Sequence, residues 1–238
     1  MGFLERSLTP LGPAPTTHRI HRMSQDHELF ERLRCSAILR TSHHEAVAPA
    51  MRAAVEGGFR IIEFTLTTPG ALDHIRDFAR DRELLVGAGT VLDLDGARGA
   101  KDAGAHFLVA PNTDPEVIGF AKQNGMIAIP GAYTPTEMML AHTSGADFVK
   151  LFPGPVNGPE YVRTVLGPLP FLKLFPTSGV TLDNVAEFMA AGAYGVGFVN
   201  CLFDPEDMRA GRFDAIRERA RRMCEAVASH LGRNPSST

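Results

Sequence analysis

Two short segments of this chain place one charged side chain among apolar neighbours at a period of two. Both charges belong to groups capable of covalent or proton-transfer chemistry. Ile61-Ile-Glu-Phe-Thr-Leu-Thr67 sets Glu63, Thr65 and Thr67 on one face of a strand and Ile62, Phe64 and Leu66 on the other. Asp147-Phe-Val-Lys-Leu-Phe152 sets Lys150 on one face with Phe148 and Phe152. A lysine held among phenylalanines loses hydration of its ammonium form, so its pKa falls and the free amine becomes a nucleophile for a carbonyl carbon. A carboxylate turned toward a dry layer beneath helices would cost several kcal/mol. Glu63 is therefore expected to face the same interior as Lys150 and to act there as acid and base, the alternative for each being an internal ion pair. The chain has four lysines; Lys101 and Lys122 fall in helical, exposed stretches, and Lys173 lies about 13 Å deeper than Thr177 at about 3.3 Å per residue. Lys150 is the expected Schiff-base residue.

The elements that must position these groups follow from apolar runs near Ser36-Arg40, Arg60-Thr65, Leu84-Gly89, His106-Ala110, Met126-Pro130, Asp147-Phe152, Phe171-Phe175 and Tyr194-Val199. Their starts lie about 20 to 24 residues apart, room for one strand, one helix and two loops, as parallel strands require. Eight such units predict an α/β fold, a (β/α)8 TIM barrel over residues 26–230. Asp26-His-Glu-Leu-Phe-Glu-Arg-Leu-Arg34 predicts a helix plugging its floor, with Asp26 as the N-cap. Gly-Gly-Phe at 57–59, Ala-Gly-Ala at 103–105, Ser-Gly-Ala at 144–146 and Ala-Gly-Ala at 191–193 predict helix ends turning into strands. Residues 1–25, mixing Pro10, Pro13 and Pro15 with basic residues, are expected to be a flexible extension, and 231–238 a tail.

Barrel sites collect where strands end. Val86-Gly-Ala-Gly-Thr90 and Pro176-Thr-Ser-Gly179 place Thr90, Thr177 and Ser178 at that rim as hydroxyl donors suited to a carboxylate. The loop Phe152-Pro-Gly-Pro-Val-Asn-Gly-Pro-Glu160 is expected to cover the site. His43 and His44 are adjacent and point apart, so no metal site is expected, and no cofactor. A net charge of -3 with 21% charged residues offers no general attraction for nucleic acid or an anionic membrane. Cys35, Cys201 and Cys224 lack CxxC spacing, and no stretch reaches the roughly 18 apolar residues of a membrane span; a reducing cytoplasm is the expected location.

Ala37-Ile-Leu-Arg40, Ile62-Glu-Phe-Thr-Leu66, Val86-Gly-Ala-Gly-Thr-Val-Leu92, Ala110-Pro-Asn112, Ile129-Pro-Gly131, Val149-Lys-Leu-Phe-Pro153 and Pro176-Thr177 with Gly179 occur in that order. In these the chain resembles the 2-keto-3-deoxy-6-phosphogluconate and 4-hydroxy-2-oxoglutarate aldolases, with their 6-phosphogalactonate branch, over about residues 30 to 228. The resemblance implies a class I aldolase, an aldehyde-lyase that joins Lys150 to pyruvate as an imine while Glu63 shuttles protons. It implies that Thr90 and Thr177 contact the pyruvyl carboxylate, that Arg40 holds an anionic end, and that the protein is a homotrimer. Thr67 stands where phosphogluconate-cleaving members usually carry an arginine. Their phosphate glycines correspond here to Ser178-Gly179 and to Phe198-Val-Asn200, so Gly179, Gly197 and Asn200 are the residues left to hold a phosphate through backbone or amide groups. Three alternatives stand beside this reading: an aldolase for a non-phosphorylated 4-hydroxy-2-keto acid, a sugar-phosphate isomerase without an imine, and a non-catalytic binding barrel.

Overall fold

The computed structural model describes the backbone of residues 17–232 and the side chains from Gln25 onward. Residues 1–16 of the expected extension and the last six residues of the expected tail lie outside the described residues. Parallel strands β1 (Cys35–Leu39), β2 (Ile61–Thr65), β3 (Leu85–Gly89), β4 (Phe107–Val109), β5 (Ile127–Ile129), β6 (Gly131–Ala132), β7 (Val149–Leu151), β8 (Leu174–Pro176) and β9 (Val196–Phe198) alternate with helices. One sheet runs β5-β4-β3-β2-β1-β9 and the other β6-β7-β8, forming an α/β fold with a parallel half-barrel. The predicted fifth strand is present in two pieces because Pro130 lacks an N–H and interrupts the ladder. The two sheets meet through Asp147 N–H donating to Ala128 O (3.0 Å) and Tyr194 N–H donating to Leu174 O (2.8 Å).

The helices are α1 (Thr17–Leu33), α2 (His44–Glu56), α3 (Ala71–Phe78), α4 (Leu94–Asp102), α5 (Pro115–Gln123), α6 (Pro135–Thr143), α7 (Gly158–Leu166), α8 (Val185–Ala190), α9 (Pro205–Arg209) and α10 (Phe213–His230). Helix α1 spans Thr17–Leu33, so residues 17–25 are helical and Asp26 lies inside the helix and not at its N-cap. No glycine or proline lies between Thr17 and Asp26 to stop the helix propagating, and a cap residue inside a helix terminates nothing. The seventh predicted strand also shifts. Pro168 and Pro170 hold a turn in which Leu172 N–H donates to Leu169 O (3.2 Å), Phe171 is half exposed, and pairing starts only at Leu174. The repeated glycines behave as expected: Gly58, Gly104, Gly145 and Gly192 adopt φ of 116°, 95°, 95° and 100°, the left-handed turn that ends a helix.

Strand parity separates two cores. Ile62, Phe64, Val86, Ala88, Val149 and Leu151 face the helices, whereas Ile61, Leu85, Phe107, Ile127, Phe148 and Phe175 face the opposite side of the strands. Phe30 of α1 enters this second cluster fully buried, its ring 4.9 Å from Phe148 and 5.3 Å from Phe107. Burying that side chain contributes about 2 to 3 kcal/mol.

Asp147 fastens the same helix. Its carboxylate meets His27 Nε2 at 2.8 Å and Lys122 Nζ at 2.6 Å, and accepts the Ala128 N–H at 2.9 Å. Burial alone would raise this carboxyl, but the bonds from His27 and Lys122 outweigh it and hold the pKa below the usual aspartate value. A depressed carboxyl stabilises the fold above its unfolded pKa, and that contribution fades as pH falls through the folded pKa. Asp147→Asn is expected to cost about 2 kcal/mol and to flatten this acid limb, as read by urea unfolding between pH 3 and 7.

Candidate active site

Glu63 sits in the middle of β2 and is 2% exposed; Lys150, in the middle of β7, is 6% exposed. Both lie on the inward parity, above the phenylalanine cluster. The carboxyl of Glu63 fits because Gly89 has no side chain: a Cβ there would stand 1.8 Å from Glu63 Oε1. Likewise a Cβ on Gly87 would strike the Phe107 ring at 2.1 Å. The glycines of β3 thus provide the close approach that Glu63 and Phe107 require. Glu63 Oε1 is buried and has no hydrogen-bond partner. An unpartnered buried oxygen is costly unless a ligand completes it, so it marks where a substrate hydroxyl or a reacting proton would be received.

The electrostatics are those of a mutually tuned pair. Burial pushes the Glu63 carboxyl up, while the charges of Lys150 and Arg40 pull it back. Burial pushes the Lys150 ammonium down, Glu63 opposes that, and Arg40 adds to it. The amine of Lys150 lies 5.1 Å from the centre of the Phe152 ring. This is the arrangement that shifts a lysine toward its neutral, nucleophilic form beside a carboxyl whose proton is held more tightly than usual.

Arg40 follows β1 at the exposed rim, and its Nη2 donates to Thr90 Oγ1 at 2.9 Å. Thr90 itself adopts φ of 59°, a conformation disfavoured for a β-branched residue, which turns it out of β3 toward Arg40. Thr177, 5% exposed, follows β8, the strand that pairs with the Lys150 strand. The expected partners Glu63, Lys150, Arg40 and Thr90 are therefore brought together, with Thr177 on the neighbouring strand.

The remaining expected residues are spread more widely. Thr67 is exposed beyond β2 and reaches inward only through Thr65, whose Oγ1 lies 3.1 Å from Thr67 Oγ1 and 3.0 Å from Thr68 Oγ1. Ser178, Gly179 and Asn200 lie on the rim, Gly179 at φ of 81° with open space around it. Gly197 lies within β9 and not in the loop beyond: a Cβ there would meet Ile38 Cδ1 at 2.5 Å and Thr177 Cγ2 at 2.9 Å. Its effect is clearance for those side chains. The loop after β7 packs on the rim, since a Cβ on Gly154 would come within 2.2 Å of Ser178 O. Lys173 lies at the other end of the strands, exposed, 5.7 Å from the centre of the Phe148 ring.

Sequence reasoning misses Thr68, 2% exposed, whose hydroxyl joins the Thr65 ladder and reaches Leu39 O (3.4 Å). It lies outside the alternating strand, so no parity signal marks it. The pairing of His44 with His74, 5.9 Å between ring centres, is equally invisible to sequence spacing because it joins two helices. Among the described residues no group of three His, Cys, Asp or Glu side chains is placed to hold a metal ion.

Comparison with known proteins points the same way. Residues 27–218 match the family model "KDPG and KHG aldolase". A "Probable 2-dehydro-3-deoxy-6-phosphogalactonate aldolase" of Rhizobium meliloti is 35% identical over 187 residues, 77% of this chain and 86% of that one. The "KHG/KDPG aldolase" of Escherichia coli K12 is 32% identical over 185 residues, covering 77% of this chain and 87% of that protein. The solved "Native KDPGal structure" superposes with a TM-score of 0.76 at 29% identity, covering 84% of this chain and 97% of that one.

Proposed function

Because the chain belongs to the KDPG and KHG aldolase family, we propose that it reversibly cleaves a 2-keto-3-deoxy-6-phospho sugar acid or 4-hydroxy-2-oxoglutarate to pyruvate and an aldehyde through a Schiff base on Lys150. The observation that carries this reading is the enclosure of Lys150 beside a Glu63 oxygen without a partner. The Lys150 amine attacks C2 of the keto acid, and loss of water gives a protonated imine. Glu63 takes the proton of the C4 hydroxyl, the C3–C4 electron pair passes into the imine, and the aldehyde leaves. Glu63 returns the proton to C3 of the enamine, and water releases pyruvate and restores the amine.

Several groups are assigned to the substrate. Arg40, Thr90 and Thr177 hold the carboxylate, with Thr67 at the rim, and Ser178, Gly179 and Asn200 hold the far end. The seam bonds between the two sheets support a closed (β/α)8 barrel, and the burial of Phe30 supports α1 as its plug. The three cysteines without paired spacing support a reducing, cytoplasmic setting, and no described helix is long and apolar enough to cross a membrane. Exposed Leu92, Leu140 and Val156 offer apolar surface for a homotrimer. The second reading, a non-phosphorylated substrate, is favoured by Phe198-Val199-Asn200, where side chains replace the glycines that let a backbone approach phosphate.

Release of pyruvate from phosphorylated and unphosphorylated 2-keto-3-deoxy acids tests both. A kcat/KM higher for the phosphorylated acid by about 10-fold or more supports the first reading, equal values the second, and no cleavage of either or of 4-hydroxy-2-oxoglutarate contradicts the proposal. Arg40→Met adds a test of the electrostatics. Arg40 lowers the Lys150 pKa, so its removal is expected to move the acid limb of imine formation to higher pH, in a pH series of pyruvate trapping, while raising KM for the keto acid.

A further inference from the structure

At the N-terminal ends of the strands, opposite Lys150 and Glu63, the chain forms an open cleft of about 390 Å³. Three basic side chains line it, Arg34, Lys173 and His230, around Tyr194. Arg34 Cζ lies 4.7 Å and Lys173 Nζ 5.0 Å from the centre of the same Tyr194 ring. No carboxylate lines the cleft, and Lys173 makes no ion pair among the described residues. The acid that reaches Tyr194 is Glu31 of α1, which is exposed and outside the lining. Two cations gathered on one ring repel each other, an arrangement that an anion between them relieves.

The backbone fixes this geometry. Arg34 has φ of 54°, a left-handed conformation that glycine adopts at no cost. Its carbonyl accepts the Val196 N–H at 2.9 Å, and Gly195 lets the strands close over it, for a Cβ there would lie 2.7 Å from Arg34 O. The guanidinium extends from this turn, and its Nε donates to Glu31 O at 3.2 Å. On the other side the wall is apolar: Leu166, Leu172 and Met189, with Phe171 50% exposed at its edge.

We propose that this cleft is a second binding site, for a small organic anion whose oxyanion head sits between Arg34 and Lys173 and whose flat apolar body lies along Phe171 and Met189. The volume is within the range of small-ligand pockets, and a few polar groups on an apolar wall is their usual composition. The site is separate from the aldolase centre and does not depend on the chemistry assigned to Lys150.

Phenyl phosphate is the probe, titrated calorimetrically into the full-length protein, with Lys173→Met and Arg34→Gly as variants. Glycine suits the left-handed backbone at 34, so the second variant removes the charge without straining the turn. The expected result is one saturable site weakened about ten-fold or more in each variant, with pyruvate-releasing activity unchanged. Inorganic phosphate, lacking the apolar body, is expected to bind more weakly than phenyl phosphate. Absence of saturable binding, or an affinity equal in wild type and both variants, overturns the proposal and leaves Arg34 and Lys173 as counter-charges to nearby helix ends.

Discussion

Lys150→Met is expected to fold and to lose aldol cleavage by about 10^4-fold or more, because methionine matches the volume of the side chain but supplies no amine. Lys150 is 6% exposed, so its ammonium form opposes folding; the variant is expected to melt no lower than the parent. Glu63 responds in a defined direction. The Lys150 charge lowers the Glu63 pKa, so with Met at 150 the carboxyl is expected to titrate at higher pH. Pyruvate release followed through a coupled dehydrogenase, beside a thermal melt, separates these effects. Cleavage within ten-fold of the parent would remove Lys150 from the covalent step.

Glu63→Gln is the complementary change, with an expected loss of about 10^2- to 10^4-fold in cleavage while pyruvate can still be trapped on Lys150. Glutamine preserves the packing against Gly89 but does not take the C4 hydroxyl proton. Since Glu63 raises the Lys150 pKa, the acid limb of trapping is expected at lower pH in this variant. Gly89→Ala reaches the same carboxyl sterically. The added Cβ would stand 1.8 Å from Oε1, so Glu63 must swing away, and cleavage is expected to fall although both reacting side chains remain. Full cleavage by Glu63→Gln would reduce Glu63 to a counter-charge for Lys150.

Much of this site is legible in the sequence because strand parity is a local property. One glutamate between Ile62 and Phe64, and one lysine between Val149 and Leu151, can only turn inward if their neighbours turn toward the helices. Glycines at helix ends are equally local, and Gly58, Gly104, Gly145 and Gly192 take the turns assigned to them. What escapes the sequence depends on partners distant along the chain. Thr68 is held by the Leu39 carbonyl, 29 residues away, and His44 meets His74 across two helices. Strand β8 starts later than its composition suggests: Phe171 has the side chain of a strand residue, whereas Pro168 and Pro170 keep it in the turn. The roles proposed for Arg40, Thr90 and Thr177 rest on the resemblance to an aldolase family, because residue types at a strand end do not distinguish ligand contacts from turn formers.

Imine formation on Lys150 is tested most directly by borohydride reduction of the protein in the presence of pyruvate, followed by peptide mass spectrometry. A reduced pyruvyl adduct on Lys150, absent from Lys150→Met, is the predicted result. No adduct, or one carried by Lys173 at the other end of the strands, would contradict it.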